Sequence, residues 1–269
     1  MTTQSIRVGV VGVGYLGAIH ARIYAAMSGV ELVGVTDIDG HAATRVAEEC
    51  GCSAYNEPEA LLDKADAVSI VVPTSSHRVV AEPYLRHGMH VLLEKPIADH
   101  LTNARAVVKA AEETGVILQI GHLERFNAGV VRLVQELDRP RFIEVHRLGP
   151  FVSRAADVDV VTDLMIHDID IVLSLVTADL TYVSAVGACV VSAHVDIANA
   201  RLEFADGTIA NVTASRVSSR KFRRIRVFGE ACYLGLDFVN QQVEVSRRTP
   251  HIEESGFAGI QTKSIEVDI

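Results

Sequence analysis

The sequence predicts an α/β protein of two domains, a doubly wound parallel domain over residues 1–122 and an α+β domain over 123–269. Three observations point there. The first 122 residues alternate short β-branched runs with longer amphipathic stretches, the pattern of a parallel sheet covered by helices on both faces. The turn Gly12-x-Gly14-x-x-Gly17 lies between the first run and the first amphipathic stretch. After residue 123 the rhythm changes to consecutive strand patterns, which imply an antiparallel or mixed sheet.

The runs of the first domain are 6–14, 31–37, 67–73, 90–96 and 116–122, with a weaker strand pattern near 53–56. Helical patterns fall at 16–28, 40–50, 76–87 and 101–114. Right-handed crossovers through those helices give the doubly wound arrangement. In the second domain one helical pattern covers 124–137 and a strand covers 141–149. A long helix follows at 159–177, then strands at 180–191, 195–204, 208–217, 222–229, 232–237 and 241–248. The pairs Asp206-Gly207 and Gly229-Glu230 mark turns between strands.

Composition narrows the function classes. At 269 residues, with 49% apolar and 22% charged residues, the chain is that of an ordinary globular protein with ample core. No apolar run reaches the roughly 18 residues of a membrane span. The start MTTQSIRVGVVGVG leads directly into a strand without the basic segment of a signal peptide, so a cytoplasmic location is expected. Cys50, Cys52, Cys189 and Cys232 contain no C-x-x-C pair, which argues against a zinc knuckle or a disulfide framework. The net charge of −9 disfavours nucleic acid or an anionic membrane as partner. A basic island, Arg216-Val-Ser-Ser-Arg220-Lys221-Phe-Arg223-Arg224-Ile-Arg226, reads as a strand face or as a site for an anionic substrate.

The glycine turn has the strand–turn–helix setting that a dinucleotide site requires. Gly12 permits the tight turn, Gly14 admits the pyrophosphate to the backbone, and Gly17 allows close helix–strand packing. Tyr15 and Leu16 open the helix, whose free N–H groups and dipole attract phosphate. Asp37 ends the second strand twenty positions after Gly17, where a carboxylate accepts hydrogen bonds from ribose hydroxyls and repels a 2′-phosphate. No arginine directly follows it, so NAD is favoured over NADP.

Ligands of open parallel sheets bind outside the carboxyl ends of the strands. VVPTSSH (71–77) and LLEKPI (92–97) both end there, offering Pro73, Thr74, His77, Glu94 and Lys95 to the crevice. His77 suits a structural capping role as well. Pro96 stops the strand so that Lys95 can project, either to bind a hydroxyl or to act as a base. In the second domain Asp163 and His167 stand four apart on one helical face, with Asp170 three beyond His167. Polar groups inside so apolar a helix need partners or a purpose. A metal site, a satisfied structural pair and a proton-transfer group are the three readings.

Together GVGYLG, VPTSSH, EKP, GHLERFN and DLMIHD resemble, in order and spacing, the glucose–fructose oxidoreductase/inositol dehydrogenase (Gfo/Idh/MocA) family. The resemblance implies a Rossmann domain, then an α+β domain with an open, mostly antiparallel sheet. It also implies NAD(P)-dependent oxidation of a secondary alcohol on a sugar or cyclitol, with Lys95, Asp163 and His167 as the catalytic set and no metal. Within the family, GHLERFN and DLMIHDIDI look most like the branch that oxidises C3 of UDP-N-acetylglucosamine on the route to lipid A aminosugars. A free polyol such as myo-inositol is the alternative substrate, and a non-catalytic NAD(H)-binding regulator the alternative class. A nucleotide sugar carries a pyrophosphate, for which Arg125, Arg147, Arg154 and Arg216 are candidate ligands. His122 and Asn127 follow the last parallel strand and are further candidates for the substrate pocket. A sheet with apolar residues on both faces needs a cover, so a homodimer or homotetramer through residues 180–248 is expected.

Overall fold

The structure, a computed structural model, describes residues 5–151, 158–252 and 258–267. The chain forms two compact units, Met1–Gly121 and His122–Ile269. Among the described residues no helix is long and apolar enough to cross a membrane.

In the first unit six strands, β1 (Ile6–Val11), β2 (Val30–Thr36), β3 (Ser53–Tyr55), β4 (Ala67–Ile70), β5 (His90–Leu93) and β6 (Leu118–Ile120), line up as β3-β2-β1-β4-β5-β6. Every pairing is parallel. Helices α1 (Tyr15–Ala26), α2 (Gly40–Cys50), α3 (His77–Arg86) and α4 (Leu101–Thr114) are the principal crossovers. In this order the chain reverses direction between β1 and β4, which opens a crevice at their carboxyl ends. Successive strand residues face opposite sides, and the core shows it. Val10 packs with Ala18, Val35 and Val46, whereas Val11 packs with Ile70, Leu93 and Val107 in a separate cluster.

The strands end earlier than their apolar runs, β1 at Val11, β4 at Ile70 and β5 at Leu93. The residues beyond them stay apolar because they are enclosed or line a cleft, not because they pair. Val13, for example, is fully buried in the turn that follows β1.

The second unit is one eight-stranded sheet in the order β14-β13-β12-β11-β7-β10-β9-β8. Its strands are β7 (Pro140–Leu148), β8 (Leu180–Ala188), β9 (Ile197–Phe204), β10 (Ile209–Ser215), β11 (Phe222–Gly229), β12 (Cys232–Asp237), β13 (Gln242–Ile252) and β14 (Ala258–Glu266). Neighbours are antiparallel except β7 and β10. Two helices, α5 (Ala128–Glu136) and α6 (Ile166–Leu175), cover one face, where Leu133 and Ile171 join Ile143, Val145, Val212 and Ile225.

Three elements differ from the sequence reading. The helical pattern at 124–137 is split into a 3₁₀ turn, Leu123–Phe126, and α5, because the Asn127 side chain caps the helix by accepting from Gly129 N–H at 2.9 Å. The long helix at 159–177 opens with a π turn, Val161–Met165, before α6 begins. Strand β14 lies beyond the expected strands; most of its described side chains are exposed, so it carries no apolar alternation to read.

The face of the sheet away from the helices is less apolar than expected. Glu144 pairs with Arg226 across β7 and β11, Glu244 with Arg224 at 3.3 Å, and Asn199 with Thr213 at 2.8 Å. Phe142, Phe228 and Tyr233 form an aromatic strip with centroid separations of 5.9 and 5.1 Å. On β8, Tyr182, Val183 and Val186 are exposed apolar residues divided between the two faces of the strand.

A buried carboxylate ties loops at one end of this sheet. Asp196 Oδ2 accepts from the N–H groups of Val190, Val191 and Ser192 at 2.7, 2.7 and 2.9 Å, while Arg216 Nε donates to Oδ1 at 2.8 Å. Arg216 also donates to Val158 O at 2.7 Å. Burial alone would push the Asp196 carboxyl up, but the three N–H donors and the Arg216 guanidinium hold it far below the ordinary carboxylate range. A folded-state value below the unfolded one gives stability that is complete above about pH 4 and lost as pH falls further. Asp196→Asn is therefore expected to lower the denaturant midpoint at pH 7, with the deficit against wild type narrowing at pH 3.5; urea titrations at both pH values check it.

Candidate active site

The glycine turn is held by backbone contacts that tolerate no side chain. Gly12 has φ +84°, and a Cβ there would lie 2.4 Å from Val71 O. A Cβ on Gly17 would lie 1.8 Å from Gly12 O, so α1 rests directly on the turn. A Cβ on Gly14 would meet nothing within 4 Å, which leaves its backbone bare toward open space. No side chain caps α1 and no acid occupies its first turn. The N–H groups of that turn are thus left for an anion, with Tyr15 and Leu16 exposed beside them.

Asp37, at the end of β2, joins this turn to the sheet. Its Oδ2 accepts from Val13 N–H at 2.6 Å and its Oδ1 from Asp39 N–H at 2.9 Å. Each carboxylate oxygen has a second lone pair for a ribose hydroxyl. Gly12, Gly14, Asp37 and Pro73 line a cavity of about 360 Å³. Ile38, Asn56, Glu57, Pro58 and Ser76 line it too and were missed by the sequence reading. The only signal for Asn56 to Pro58 was the weak strand pattern at 53–56, whose end delivers them there. Bare backbone, an uncapped helix start, a strand-end carboxylate and a cleft of this size fit a dinucleotide, with Gly14 at the phosphates and Asp37 at the ribose.

His77 does not present its side chain to the cleft. It is 1% exposed, with Nδ1 2.8 Å from Pro96 O and Nε2 3.0 Å from Val72 O. This corrects its assignment as a cofactor ligand: the ring braces the segments after β4 and β5. Thr74 begins the 3₁₀ turn Thr74–Ser76 that leads into α3. Glu94 follows β5 and is 9% exposed. Its Oε2 accepts from Lys95 N–H at 3.1 Å, and its Oε1 lies 3.4 Å from His20 Nε2. Burial pushes the Glu94 carboxyl up, but the contacts to His20 and to Lys95 N–H outweigh it and leave the group below its usual value. Lys95 itself is half-buried at the carboxyl end of the sheet.

In the second unit Asp163 lies in the π turn and His167 in the first turn of α6. Single π turns inside α-helices recur at functional sites. The other acids of this helix have arginine partners. Arg147 is 3% exposed and forks onto Asp168 at 2.8–3.0 Å while also reaching Glu124 at 2.9 Å. Arg125 forks onto Asp170 with both contacts at 2.7 Å. His122 Nδ1 lies 3.9 Å from Asp170 Oδ1. These contacts clamp the 3₁₀ turn of GHLERFN against α6.

Three of the four arginines proposed for a pyrophosphate are therefore corrected. Arg125 and Arg147 are bound to Asp170 and Asp168, and Arg216 to Asp196. Arg147 and Arg216 are buried, where a guanidinium needs a carboxylate of its own, while half-exposed Arg125 answers the buried Asp170. Arg154 lies outside the described residues. The Asn127 amide oxygen is likewise engaged in capping α5. Among the described residues no group of three or more His, Cys, Asp or Glu could hold a metal ion.

Comparison with known proteins adds to this geometry. Residues 6–122 match the model of the GFO/IDH/MocA oxidoreductase family, NAD-binding Rossmann fold, and residues 129–234 match the GFO/IDH/MocA C-terminal domain. The chain is 40% identical to the UDP-N-acetylglucosamine 3-dehydrogenase of Acidithiobacillus ferrooxidans, over 97% of this chain and 83% of that protein. A solved structure of that enzyme superposes with a TM-score of 0.91 at 39% identity, covering 98% of this chain and 84% of the other. The scyllo-inositol 2-dehydrogenase (NAD(+)) of Bacillus subtilis is 31% identical over 80% of this chain and 68% of its own.

Gly12→Ala places a methyl against Val71 O in a conformation unfavourable to L-residues, at a cost of about 1–3 kcal/mol. It is expected to weaken NADH binding by roughly tenfold or more, measured by the fluorescence of bound NADH.

Proposed function

The chain belongs to the Gfo/Idh/MocA oxidoreductase family, and on that premise we propose that it is an NAD-dependent dehydrogenase that oxidises C3 of UDP-N-acetylglucosamine. The observation that carries this reading is the placement of Lys95. It leaves the carboxyl end of β5, on the sheet edge where the glycine turn and Asp37 form the dinucleotide cleft. The substrate is carried by the 40% identity to an enzyme of that name. NAD is preferred to NADP because the Asp37 carboxylate repels a 2′-phosphate and Ile38 and Asp39, not arginines, follow it.

Bound NAD supplies the hydride acceptor, C4 of its nicotinamide. The remaining chemistry falls to the chain. As hydride leaves the alcohol carbon, the hydroxyl proton must go to a base, and His167 accepts it at a ring nitrogen. The Lys95 ammonium donates a hydrogen bond to the same oxygen and stabilises negative charge developing there. Asp163 orients the imidazole and favours its charged form. Asp37 and the glycine turn hold the dinucleotide. The 31% identity to the scyllo-inositol enzyme favours, as a second reading, the same chemistry on a free cyclitol.

Lys95→Ala and His167→Ala are each expected to lower kcat/KM by about 10²–10⁴ with NADH binding retained; full turnover in both variants rejects the assignment. NADH formation is expected with UDP-N-acetylglucosamine and not with myo-inositol; the reverse outcome selects the cyclitol reading. We also expect a homodimer or homotetramer through the second unit's sheet, with β8 supplying apolar contact, and a monomeric mass by light scattering contradicts it.

A further inference from the structure

Beneath the Lys95 turn lies a buried polar chain that dinucleotide binding does not explain. His20, in the second turn of α1, places Nδ1 2.8 Å from the Ser69 hydroxyl and Nε2 3.4 Å from Glu94 Oε1. Ser69 is fully buried in β4, and the His20 and Glu94 side chains are 12% and 11% exposed. The other Glu94 oxygen accepts from Lys95 N–H, and Glu94 N–H donates to Ile70 O at 3.0 Å. Every member has a partner: Ser69 and His20 Nδ1 share one hydrogen bond, His20 Nε2 faces one Glu94 oxygen, and the other accepts from Lys95 N–H. A fourth element closes the set, since a Cβ on Gly121 would lie 2.9 Å from Glu94 Oε1.

A carboxylate so enclosed stabilises a fold less than an apolar residue of its size would. What it does hold is the peptide N–H of the residue that follows it. We propose that Glu94, fixed by His20, is a positioning residue that sets the direction in which the Lys95 ammonium leaves the end of β5. The assignment rests on the reading of Lys95 as the group that meets the substrate oxygen. A misplacement near 1 Å at a reacting group can lower rate by about 10²-fold.

The test pairs turnover with a readout independent of it. Glu94→Ala is expected to lower kcat by about 10²-fold while NADH affinity stays within about threefold. Glu94→Gln, which keeps an acceptor for Lys95 N–H, restores most of that loss. His20→Ala adds little in the Glu94→Ala background, because the two act as a unit. Acetic anhydride labelling of Lys95, read by peptide mass spectrometry against the exposed Lys221, is expected to change in rate by about threefold or more in Glu94→Ala. Unchanged Lys95 labelling with unchanged kcat overturns the proposal. So does a tenfold loss of NADH affinity at undiminished kcat, which would make Glu94 a cofactor contact. Turnover retained in Lys95→Ala rejects the catalytic reading instead, and the labelling still decides whether Glu94 places the amine. Should Glu94→Ala fail to fold, Gly121→Ala disturbs the same carboxylate from the residue after β6 and carries the same expectation.

Discussion

The first unit depends on backbone packed directly against backbone where β1 turns into α1. Gly12, Gly17 and Val71 approach so closely that side chains on the two glycines would collide with main-chain oxygens. That contact brings the start of α1 down onto the sheet edge, leaves its N–H groups facing outward, and puts the turn within reach of Asp37. The carboxylate is a brace, through Val13 N–H, and it lines the cleft in which a ribose is proposed to sit. The close packing of turn and helix start follows from omitting two methyl groups.

The second unit answers a different problem, how to keep charge inside an apolar helix layer. Asp168 and Asp170 sit on α6 among core residues, and each is matched by an arginine from another element, Arg147 from β7 and Arg125 from the GHLERFN turn. Removing one partner from the buried Arg147–Asp168 pair costs about 3–5 kcal/mol, because the other charge is left stranded. These pairs anchor the elements that carry His122 and His167. The polar residues of this segment are thus divided between scaffold and the groups to which catalysis is assigned.

The architecture was legible because its signals are local. Five of the six parallel strands announce themselves as apolar runs and β3 only as a weaker pattern, while the glycine turn is marked by its spacing. Strand ends were overrun because an apolar residue that lines a cleft looks the same in sequence as one that pairs. The arginines were misread for a similar reason. A guanidinium advertises an anion but not which one, and its partners here lie 20 to 45 residues away. The sequence indicated that polar groups in this helix need partners or a purpose; it could not show that the arginines set aside for a substrate were the partners of Asp168 and Asp170. His77 reads as a cleft residue until its two nitrogens are seen facing carbonyls.

The π turn at Val161–Met165 also shapes how this region can change. Such a turn holds one residue more than the α-helix would at that point. Losing a single residue there restores regular winding while the flanking turns keep their phase, so the core contacts of Ile171 and Val172 stay in place. What would change is the wide turn that carries Asp163, whose backbone would tighten to the ordinary helical spacing. The length of this short segment, as well as its composition, therefore sets it apart from a plain helix start.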